Sequence, residues 1–447
     1  MKALWILVAA LLPAAVGAQE RATGQTLPLS LRQAVEIALA TEGNIRTRLA
    51  REGLDQAGAR SAQARAALLP NLSSSLNYRD QTVNLRANGL RFQIPIEGTA
   101  FSFPELVGPY TVMDARISGT QSIFDYGAIR RFQSARAAVS AAQREVEGAE
   151  EEVAARIARA YLSAVRADAD LDAAGANVTL SEGVLSLAEN RKAAGTSTGI
   201  EITRARVQLA NDRQRLLVAA AARRRAHMEL LRAMNLELAV ALELTDRLGY
   251  VPVDPATLES ATALALAGRP DLGAQRERER SARLAASAVK MERLPSLSFF
   301  GEYGTIGGGF DDALPTRAYG ITLRLPIFDG GRMDARRAEA VSLHRAEKAR
   351  TADLEKEIEL DVRLALDALN SAREPIEVSR EGLGLAENEL AQARRRYEAG
   401  VAIGLEVTDA QTRLERARDN QIQALYNYNL ARIDLEQAMG AARGRLP

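Results

Sequence analysis

The segment AGTSTGIEIT at residues 194–203 returns as AGVAIGLEVT at residues 399–408, and this repeated glycine turn decides the fold of the chain. Two further pairs of segments repeat in the same order before it. They are LPNLS (69–73) with LPSLS (294–298), and SIFDYG (122–127) with PIFDGG (326–331). The offsets are 205 for the glycine turns, 204 for the Phe-Asp segments and 225 for the Leu-Pro segments. Matches at nearly constant spacing predict an internal structural repeat with two copies, the first of which carries an insertion at 79–111.

Each copy is predicted to contain one helix, two strands and then two helices. The first helix ends before Pro70 or Pro295, because proline lacks an amide donor and disfavours the α conformation in the preceding residue. Apolar and polar residues then alternate with a period of two, which indicates a strand. The predicted ranges are 31–67 and 261–293 for the first helices, 72–78 and 297–303 for the first strands, and 112–124 and 317–328 for their partner strands.

The pattern changes from strand to helix after each Phe-Asp pair. Asp125 and Asp329 are predicted N-caps, because a carboxylate there accepts hydrogen bonds from the free amides of the first turn. Apolar or small residues then recur every seven positions from Phe132, which is typical of a helix packed along its length against other helices. The helix predicted at 128–193 would be about 100 Å long. That is several times the ~30 Å thickness of bilayer hydrocarbon, so most of it must stand in water.

The composition excludes several classes of protein. The chain has 447 residues, 58 basic and 57 acidic side chains, two histidines and no cysteine. A balanced charge argues against a basic nucleic-acid binder. Without cysteine there are no disulfides or thiolate sites, and the isolated His227 and His344 do not predict a metal centre. The sequence therefore predicts a protein that is not an enzyme and needs no cofactor.

Residues 1–18 form a predicted signal peptide, because a basic start, a short apolar stretch and small residues precede position 19. Four strands per chain cannot close a membrane barrel, which needs at least about eight. An open sheet in lipid would leave its edge amides unpaired. The strands therefore either pool with those of other chains in a membrane or cap a soluble rod, as in a secreted coiled-coil scaffold or adhesin.

The doubled plan, the Leu-Pro-x-Leu-Ser entry to the strands, the Phe-Asp exit and the glycine turns resemble the TolC-like outer-membrane efflux protein family. The resemblance implies a mainly α fold with a small β part, assembled as a homotrimer. Long coiled-coil-like helical hairpins would form a trimeric α-barrel, and four strands per chain would join a shared 12-stranded transmembrane β-barrel. The implied domains are a first repeat at 19–235, an equatorial linker at 236–258, a second repeat at 259–440 and a tail at 441–447.

The resemblance also implies a function and its partners. The protein would be a passive exit duct in the outer membrane of a Gram-negative-type cell, in contact with outer-membrane lipids. A periplasmic adaptor (membrane fusion) protein and an inner-membrane pump of the RND, ABC or MFS type would complete the efflux or type I secretion system. Substrates would then leave from the periplasmic side to the exterior.

The two glycine turns lie at the same end of the predicted rod. Gly195 and Gly400 suit the left-handed conformation that follows a helix C-terminus. Thr198 with Glu201 three residues later fits a capping box for the next helix. By the resemblance, this end is the periplasmic entrance, and its adaptor-contacting turn residues are Gly195, Thr198, Gly400 and Gly404.

Four side chains at this end are assigned to the entrance by the resemblance. Glu406 and Asp409 correspond to acidic rings at the constriction, and their spacing of three places them on one helical face. Tyr397 corresponds to an aromatic residue that holds the entrance closed, and Glu201 to an acid of the same network. Ala402 departs from the family pattern, because some members carry an arginine there that ties the closed tip.

The other end of each hairpin begins at a strand–helix junction. Its marker residues are Pro70, Phe124, Asp125, Pro295, Phe328 and Asp329. The two phenylalanines suit either an aromatic rim at a membrane interface or simple packing. The insertion at 79–111 predicts an extracellular loop or, in part, an extension of the strands.

Overall fold

The computed structural model describes residues 27–40, 44–87, 89, 93–96, 99–102, 104–253 and 257–445, and the predicted signal peptide lies outside them. The helices of these residues are α1 Leu31–Leu39, α2 Ile45–Ala66, α3 Tyr126–Ala193, α4 Gly199–Ala233, α5 Leu258–Gly268, α6 Pro270–Met291, α7 Arg332–Glu398, α8 Gly404–Ala438 and α9 Ala442–Arg445. The strands are β1 Leu27–Leu29, β2 Asn71–Asn84, β3 Gln93–Ile96, β4 Thr99–Ser102, β5 Leu106–Phe124, β6 Leu242–Leu244, β7 Ser296–Gly307 and β8 Leu314–Arg324. The fold is mainly α with a small β part, as predicted.

Two long helical hairpins, α3–α4 and α7–α8, form most of the molecule. Helices α3 and α7 have 68 and 67 residues, which makes each about 100 Å long. Their partners α4 and α8 have 35 residues each. Helices α2 and α6 pack beside the remaining length of α3, α6 also contacts α7, and the two hairpins meet along α3 and α8. No helix in the described part of the chain is long and apolar enough to cross a bilayer.

The first helix of each copy is broken in two, so the continuous helices predicted at 31–67 and 261–293 were wrong. In the second copy, Pro270 starts α6 and leaves Arg269 with φ −65° and ψ 121°, because proline disfavours the α conformation before it. In the first copy, Asn44 starts α2 by accepting a hydrogen bond from the amide of Arg46 at 3.0 Å. The second halves end at Ala66 and Met291, one and two residues before the predicted limits at 67 and 293.

Strands β2, β5, β7 and β8 form one antiparallel sheet in that order, so each repeat contributes two neighbouring strands. The pairing aligns Leu76 with Ala115, Ile117 with Tyr303, and Gly301 with Tyr319. This register places apolar side chains of all four strands on one face. The exposed apolar residues of that face are Leu72, Leu76, Tyr78, Ile117, Phe299, Tyr303, Tyr319, Ile321 and Leu323. Strand β8 ends at Arg324, four residues before the predicted limit at Phe328.

The predicted insertion is partly an extension of the sheet. Strand β2 runs to Asn84 and β5 starts at Leu106, so both ends of the 79–111 segment continue the β2–β5 ladder. Between them, β3 and β4 form a small hairpin. Residues 88, 90–92, 97–98 and 103 of the insertion lie outside the described part of the chain. The parallel pairing of β1 with β6, which joins the N-terminal segment to the linker between the repeats, was not predicted.

Two buried clusters at equivalent places in the repeats hold the middle of the rod together. The first joins α1, β1 and β6 to α3 and the end of α4 through Leu29, Val35, Ile157, Leu230 and Leu242. The second joins α5 and α6 to α7 and the end of α8 through Ala261, Leu272, Ile358, Tyr428 and Leu435. The internal repeat read in the sequence therefore extends to the packing of the core.

Candidate functional site

Both glycine turns end their long helices in the same way. Gly195 has φ +75° and Gly400 has φ +81°, as predicted from their positions. At the first turn, the amide of Gly195 donates to the carbonyl of Lys192 and the amide of Thr196 to that of Arg191, each at 2.9 Å. The second turn repeats this pattern at 3.1 and 3.0 Å. This is the Schellman motif, which satisfies the last carbonyls of a helix and needs a residue at positive φ.

Glu201 connects the two tips. Its Oε2 accepts hydrogen bonds from Tyr397 Oη at 2.8 Å and from Ser197 Oγ at 2.6 Å. The carboxylate also contacts the start of α8, where the amide of Gly404 donates to it. A side chain at position 404 would have its Cβ 3.6 Å from the Glu201 carboxylate. The structure therefore brings together three residues that the sequence assigned to the entrance.

The predicted capping box does not form, although Thr198 occupies the N-cap position of α4. Its side chain makes no capping hydrogen bond to the first turn. The reason lies in the competing contacts of Glu201, whose carboxylate turns toward Ser197 and Tyr397 instead of back to the N-cap amide.

Arg191 at the end of α3 completes the connection between the tips. Its Nη1 donates to the carbonyl of Tyr397 at 2.5 Å. Its guanidinium also lies over the Tyr397 ring, 4.2 Å from the centroid, a favourable cation–π geometry. Ala402 is buried, and its methyl group cannot make the contact by which an arginine at that position would hold the tip closed. The arginine is supplied by the other hairpin, and the sequence analysis missed it because Arg191 resembles any basic residue in a last helical turn.

The surroundings of this cluster shift two pKa values in opposite directions. Burial raises the pKa of Glu201, but the hydrogen bonds from Ser197, Tyr397 and Gly404, with the charge of Arg191, outweigh it and lower the pKa overall. Burial raises the pKa of Tyr397, and its hydrogen bond to Glu201 adds to the effect. At neutral pH the phenol is therefore the donor and the carboxylate the charged acceptor. We call Arg191, Ser197, Glu201 and Tyr397 the tip latch.

Glu406 and Asp409 lie beside the tip latch on the exposed face of α8. Glu406 forms a loose ion pair with Arg396 at 3.6 Å, and Asp409 makes no ion pair or hydrogen bond with a described residue. Val407 and Ala410, on the opposite face of the same turn, are buried in the apolar core of the tip. The two acids therefore share one helical face, as their spacing predicted, and the structure shows that this face is exposed.

The strand–helix junctions lie at the other end of the rod, directly below the sheet. Asp125 caps α3 as predicted, accepting the amide of Ala128 at 2.9 Å. Asp329 was predicted as the N-cap of α7, but Gly331 with φ +86° holds that position. Asp329 still accepts the amide of Met333 at 2.8 Å, so it caps the first turn from two residues further back. The difference arises because α7, starting at Arg332, begins two residues later in its repeat than α3, which starts at Tyr126.

The phenylalanines at these junctions have different surroundings. Phe124 packs edge-on against Tyr126 with ring centroids 4.7 Å apart. Phe328 is 88% exposed within the chain. Between the junctions, Glu292 bridges Arg131 of α3 at 2.8 Å and Arg336 of α7 at 2.7 Å, which fixes the two long helices beneath the sheet.

The face of the sheet opposite the apolar one carries a charged cluster. Arg116 on β5 pairs with Asp114 of the same strand at 2.5 Å and with Glu302 on β7 at 3.0 Å. Gly304 leaves room for the arginine, because a Cβ at Gly304 would come within 2.6 Å of Arg116. A sheet with one apolar and one charged face separates an apolar from an aqueous environment.

His227 is not isolated, contrary to the sequence analysis. Its Nε2 lies 2.9 Å from Asp168 Oδ1, which also accepts from Arg223 at 2.6 Å. Burial opposes ionisation of Asp168, but these partners outweigh it and lower the pKa of the carboxyl group. The group links α3 to α4 and lies far along the hairpin from the tips. No group of three or more potential metal-ligating side chains occurs in the part of the chain that the structure describes.

Helical hairpins of about 100 Å, joined to a sheet with one exposed apolar face, are typical of a protein that reaches from a membrane far into water. Residues 37–236 and 262–441 match the outer membrane efflux protein family, and the chain belongs to that family. It is therefore an outer-membrane channel that extends into the periplasm, as predicted, and the family is one of channels and not of enzymes. Family membership favours this function over the alternative of a secreted scaffold.

Individual relatives agree with this assignment. The chain is 27% identical over 424 residues to the pyoverdine export outer membrane protein OpmQ of Pseudomonas putida, covering 92% of this chain and 85% of the relative. It is 26% identical over 377 residues to the alkaline protease secretion protein AprF of Pseudomonas aeruginosa, covering 82% and 76%. Among solved structures, it resembles the outer membrane protein VceC of Vibrio cholerae with a TM-score of 0.77 at 20% identity, covering 92% and 96%. The curated relatives are outer-membrane components of export and secretion systems.

Proposed function

We propose that three copies of this chain pool their sheets into one closed 12-stranded barrel in the outer membrane, with the helices continuing as a periplasmic tunnel. The proposal is supported by the sheet, whose outer strands β2 and β8 have no further partner among the described strands. Unpaired edges are costly in lipid, and joining β2 of one copy to β8 of the next removes them. The apolar face, with Leu72 75% and Tyr319 74% exposed, then contacts outer-membrane lipids. The charged face lines the lumen.

The tips form the periplasmic entrance in this assembly. Three copies of Glu406 and Asp409 give two acidic rings that attract cations at the constriction. The tip latch holds the tip of each chain in its closed conformation. A periplasmic adaptor contacts the turns, at Gly195, Thr198, Gly400 and Gly404. Opening is driven by adaptor contacts that differ between the closed and open tips, since a partner shifts an equilibrium only by its differential affinity.

The duct is passive and has no catalytic residue or cofactor. An inner-membrane pump of the RND, ABC or MFS type supplies the energy and selects the cargo. The relatives named for pyoverdine export and alkaline protease secretion favour a role in exporting small molecules or proteins across the outer membrane. Predicted cleavage after residue 18 delivers the mature chain to the periplasm.

The observation that carries the entrance assignment is the exposure of two acids, Glu406 and Asp409, beside the tip latch. The test is single-channel current in planar bilayers with the double substitution Glu406→Ala and Asp409→Ala. We expect block by multivalent cations to weaken by at least about tenfold, because six carboxylates leave the trimeric constriction. Glu36→Ala with Glu243→Ala, which removes the same charge at the middle of the rod, should leave block unchanged. Equal block in the wild-type protein and the tip variant would refute the acidic rings.

A further inference from the structure

A pocket of about 620 Å³ opens near the middle of the rod, away from the tips and the sheet. It lies between α1, α3, α8 and the linker segment 245–251. Its walls are mostly apolar and include Leu31, Leu162, Val165, Leu248 and Ile433. This size and character are typical of sites for small organic molecules, which combine apolar walls with a few placed polar groups.

Arg432 of α8 lines this pocket and has no partner in it. The residue is only 7% exposed, and its Nε is buried without a hydrogen-bond acceptor. Arg432 forms no ion pair or hydrogen bond with any residue that the structure describes. Arginine stays charged at all physiological pH values, so this guanidinium is a largely buried charge with no ion-pair partner among the described residues. Buried charges in proteins are normally paired, because removing them from water is costly.

No other charged group of the pocket forms an ion pair with Arg432 in the part of the chain that the structure describes. Asp246 is the one carboxylate among the lining residues, and it forms no ion pair with Arg432; its Oδ2 accepts the amide of Leu31 and the hydroxyl of Tyr161, each at 2.8 Å. Arg32 and Arg247 stand at the exposed rim. Arg32 pairs with Glu36 of its own helix at 3.0 Å, whereas Arg247 makes no ion pair among the described residues. The pocket thus combines apolar walls with an excess of positive charge.

We propose that this pocket binds an amphipathic organic anion, with its carboxylate or phosphate on Arg432 and its apolar body against the walls. A guanidinium presents parallel N–H donors that match the two oxygens of such a head group. An apolar body is required because an inorganic anion would leave most of the pocket wall uncovered. This proposal does not depend on the entrance assignment, because the pocket lies at the middle of the rod and not at the tips.

A carboxylate from a second copy of the chain is the competing occupant, since Arg432 could be paired across a subunit interface. The two cases differ in what happens when the arginine is removed. If Arg432 binds a ligand, it has no ion-pair partner when the ligand is absent. Arg432→Met should then leave the assembled protein as stable as before or more stable. An arginine paired across an interface leaves a stranded carboxylate when it is replaced, so the same change should weaken the assembly.

The test is equilibrium dialysis of the full mature protein in nanodiscs of a zwitterionic lipid, with octanoate and octyl phosphate as probes. We expect saturable binding of at least one probe and at least tenfold weaker binding of both octanol, which lacks the charge, and inorganic phosphate, which lacks the apolar body. Arg432→Met should weaken probe binding at least tenfold, and Arg432→Lys should restore part of it. Arg413→Gln, which removes an arginine of α8 that pairs with Glu389 near the tip, should bind as the wild type does.

Three outcomes would overturn the proposal. They are octanol binding as tightly as octanoate, Arg432→Met binding the probes normally, and no saturable binding of either anion. A lower unfolding temperature or dissociation of the Arg432→Met assembly would assign Arg432 to a contact between copies instead. Failure of these tests would leave the acidic rings untouched, because those are measured by cation block.

Discussion

Tyr397→Phe is the sharpest test of the tip latch, because it removes one hydroxyl and keeps the ring. The lost contact is the 2.8 Å hydrogen bond from Tyr397 Oη to the charged Glu201. The ring remains beneath the Arg191 guanidinium, 4.2 Å away, and stays in the apolar core of the tip. The substitution therefore isolates the link between the two hairpin ends.

The magnitude follows from the partners that Glu201 retains. A hydrogen bond to a charged group stabilises a protein by about 1.5–3 kcal/mol. Glu201 keeps its donors from Ser197 and Gly404 and is half-buried, so the lower end of about 1.5 kcal/mol applies. Because each 1.4 kcal/mol is a factor of about ten, the open population of each tip should rise about tenfold.

Hydrogen exchange measured by mass spectrometry on residues 194–203 and 399–408 reports this opening directly. When closing is faster than exchange, the rates of these segments should rise about tenfold in Tyr397→Phe. The matched control is Tyr426→Phe on α8, whose hydroxyl makes only a 3.4 Å contact with Ser163. Unchanged exchange at both tips, with the global unfolding temperature also unchanged, would refute the latch.

Two further predictions concern the tip and the sheet end. The pKa of Glu201 is lowered in the closed tip. The stabilisation of the closed tip by ionised Glu201 is therefore fully present above the ordinary carboxyl pKa of about 4.3, and it is lost as pH falls through the lowered value. Single-channel open probability should therefore stay constant from about pH 7 to about pH 5 and rise in stronger acid. Glu201→Gln should remove this rise. A rise near neutral pH would contradict the role of Glu201 in the tip latch. At the other end, Asp125→Ala should lower the unfolding free energy by about 1 kcal/mol through loss of the cap on Ala128. Asp311→Ala, in the exposed loop between β7 and β8, is the control, and equal unfolding midpoints for the two variants would show that the cap contributes nothing.

The sequence predicted those parts of the fold that rest on local chemistry. The left-handed glycines at 195 and 400, the cap at Asp125 and the limits of the long helix α3 depend on neighbouring residues and a sustained heptad pattern. The helix break before Pro270 could also have been predicted, because a proline at the first position of a helix separates that helix from the preceding one. The helical periodicity on both sides of this proline concealed the break.

Contacts between distant segments could not be predicted. Strands β1 and β6 have three residues each and pair across more than 200 positions, so neither carries a periodic pattern of its own. Arg191 meets Tyr397 only because the two hairpins end side by side. His227 looked isolated because its partner Asp168 lies on the neighbouring helix. In each case the partner is set by tertiary packing, which a single sequence does not encode locally.

The arrangement of the tip separates the residues that hold it from those that a cargo would meet. Every latch contact lies within one chain: Arg191, Ser197 and Glu201 come from the first hairpin and Tyr397 from the second. These groups satisfy one another, so they have little charge left to offer a passing ion. Asp409 has no partner among the described residues, and Glu406 has only a pair at 3.6 Å, so both remain available to solvent. Replacing a latch residue should therefore alter how often a tip opens, whereas replacing an exposed acid should alter what the open or closed entrance attracts.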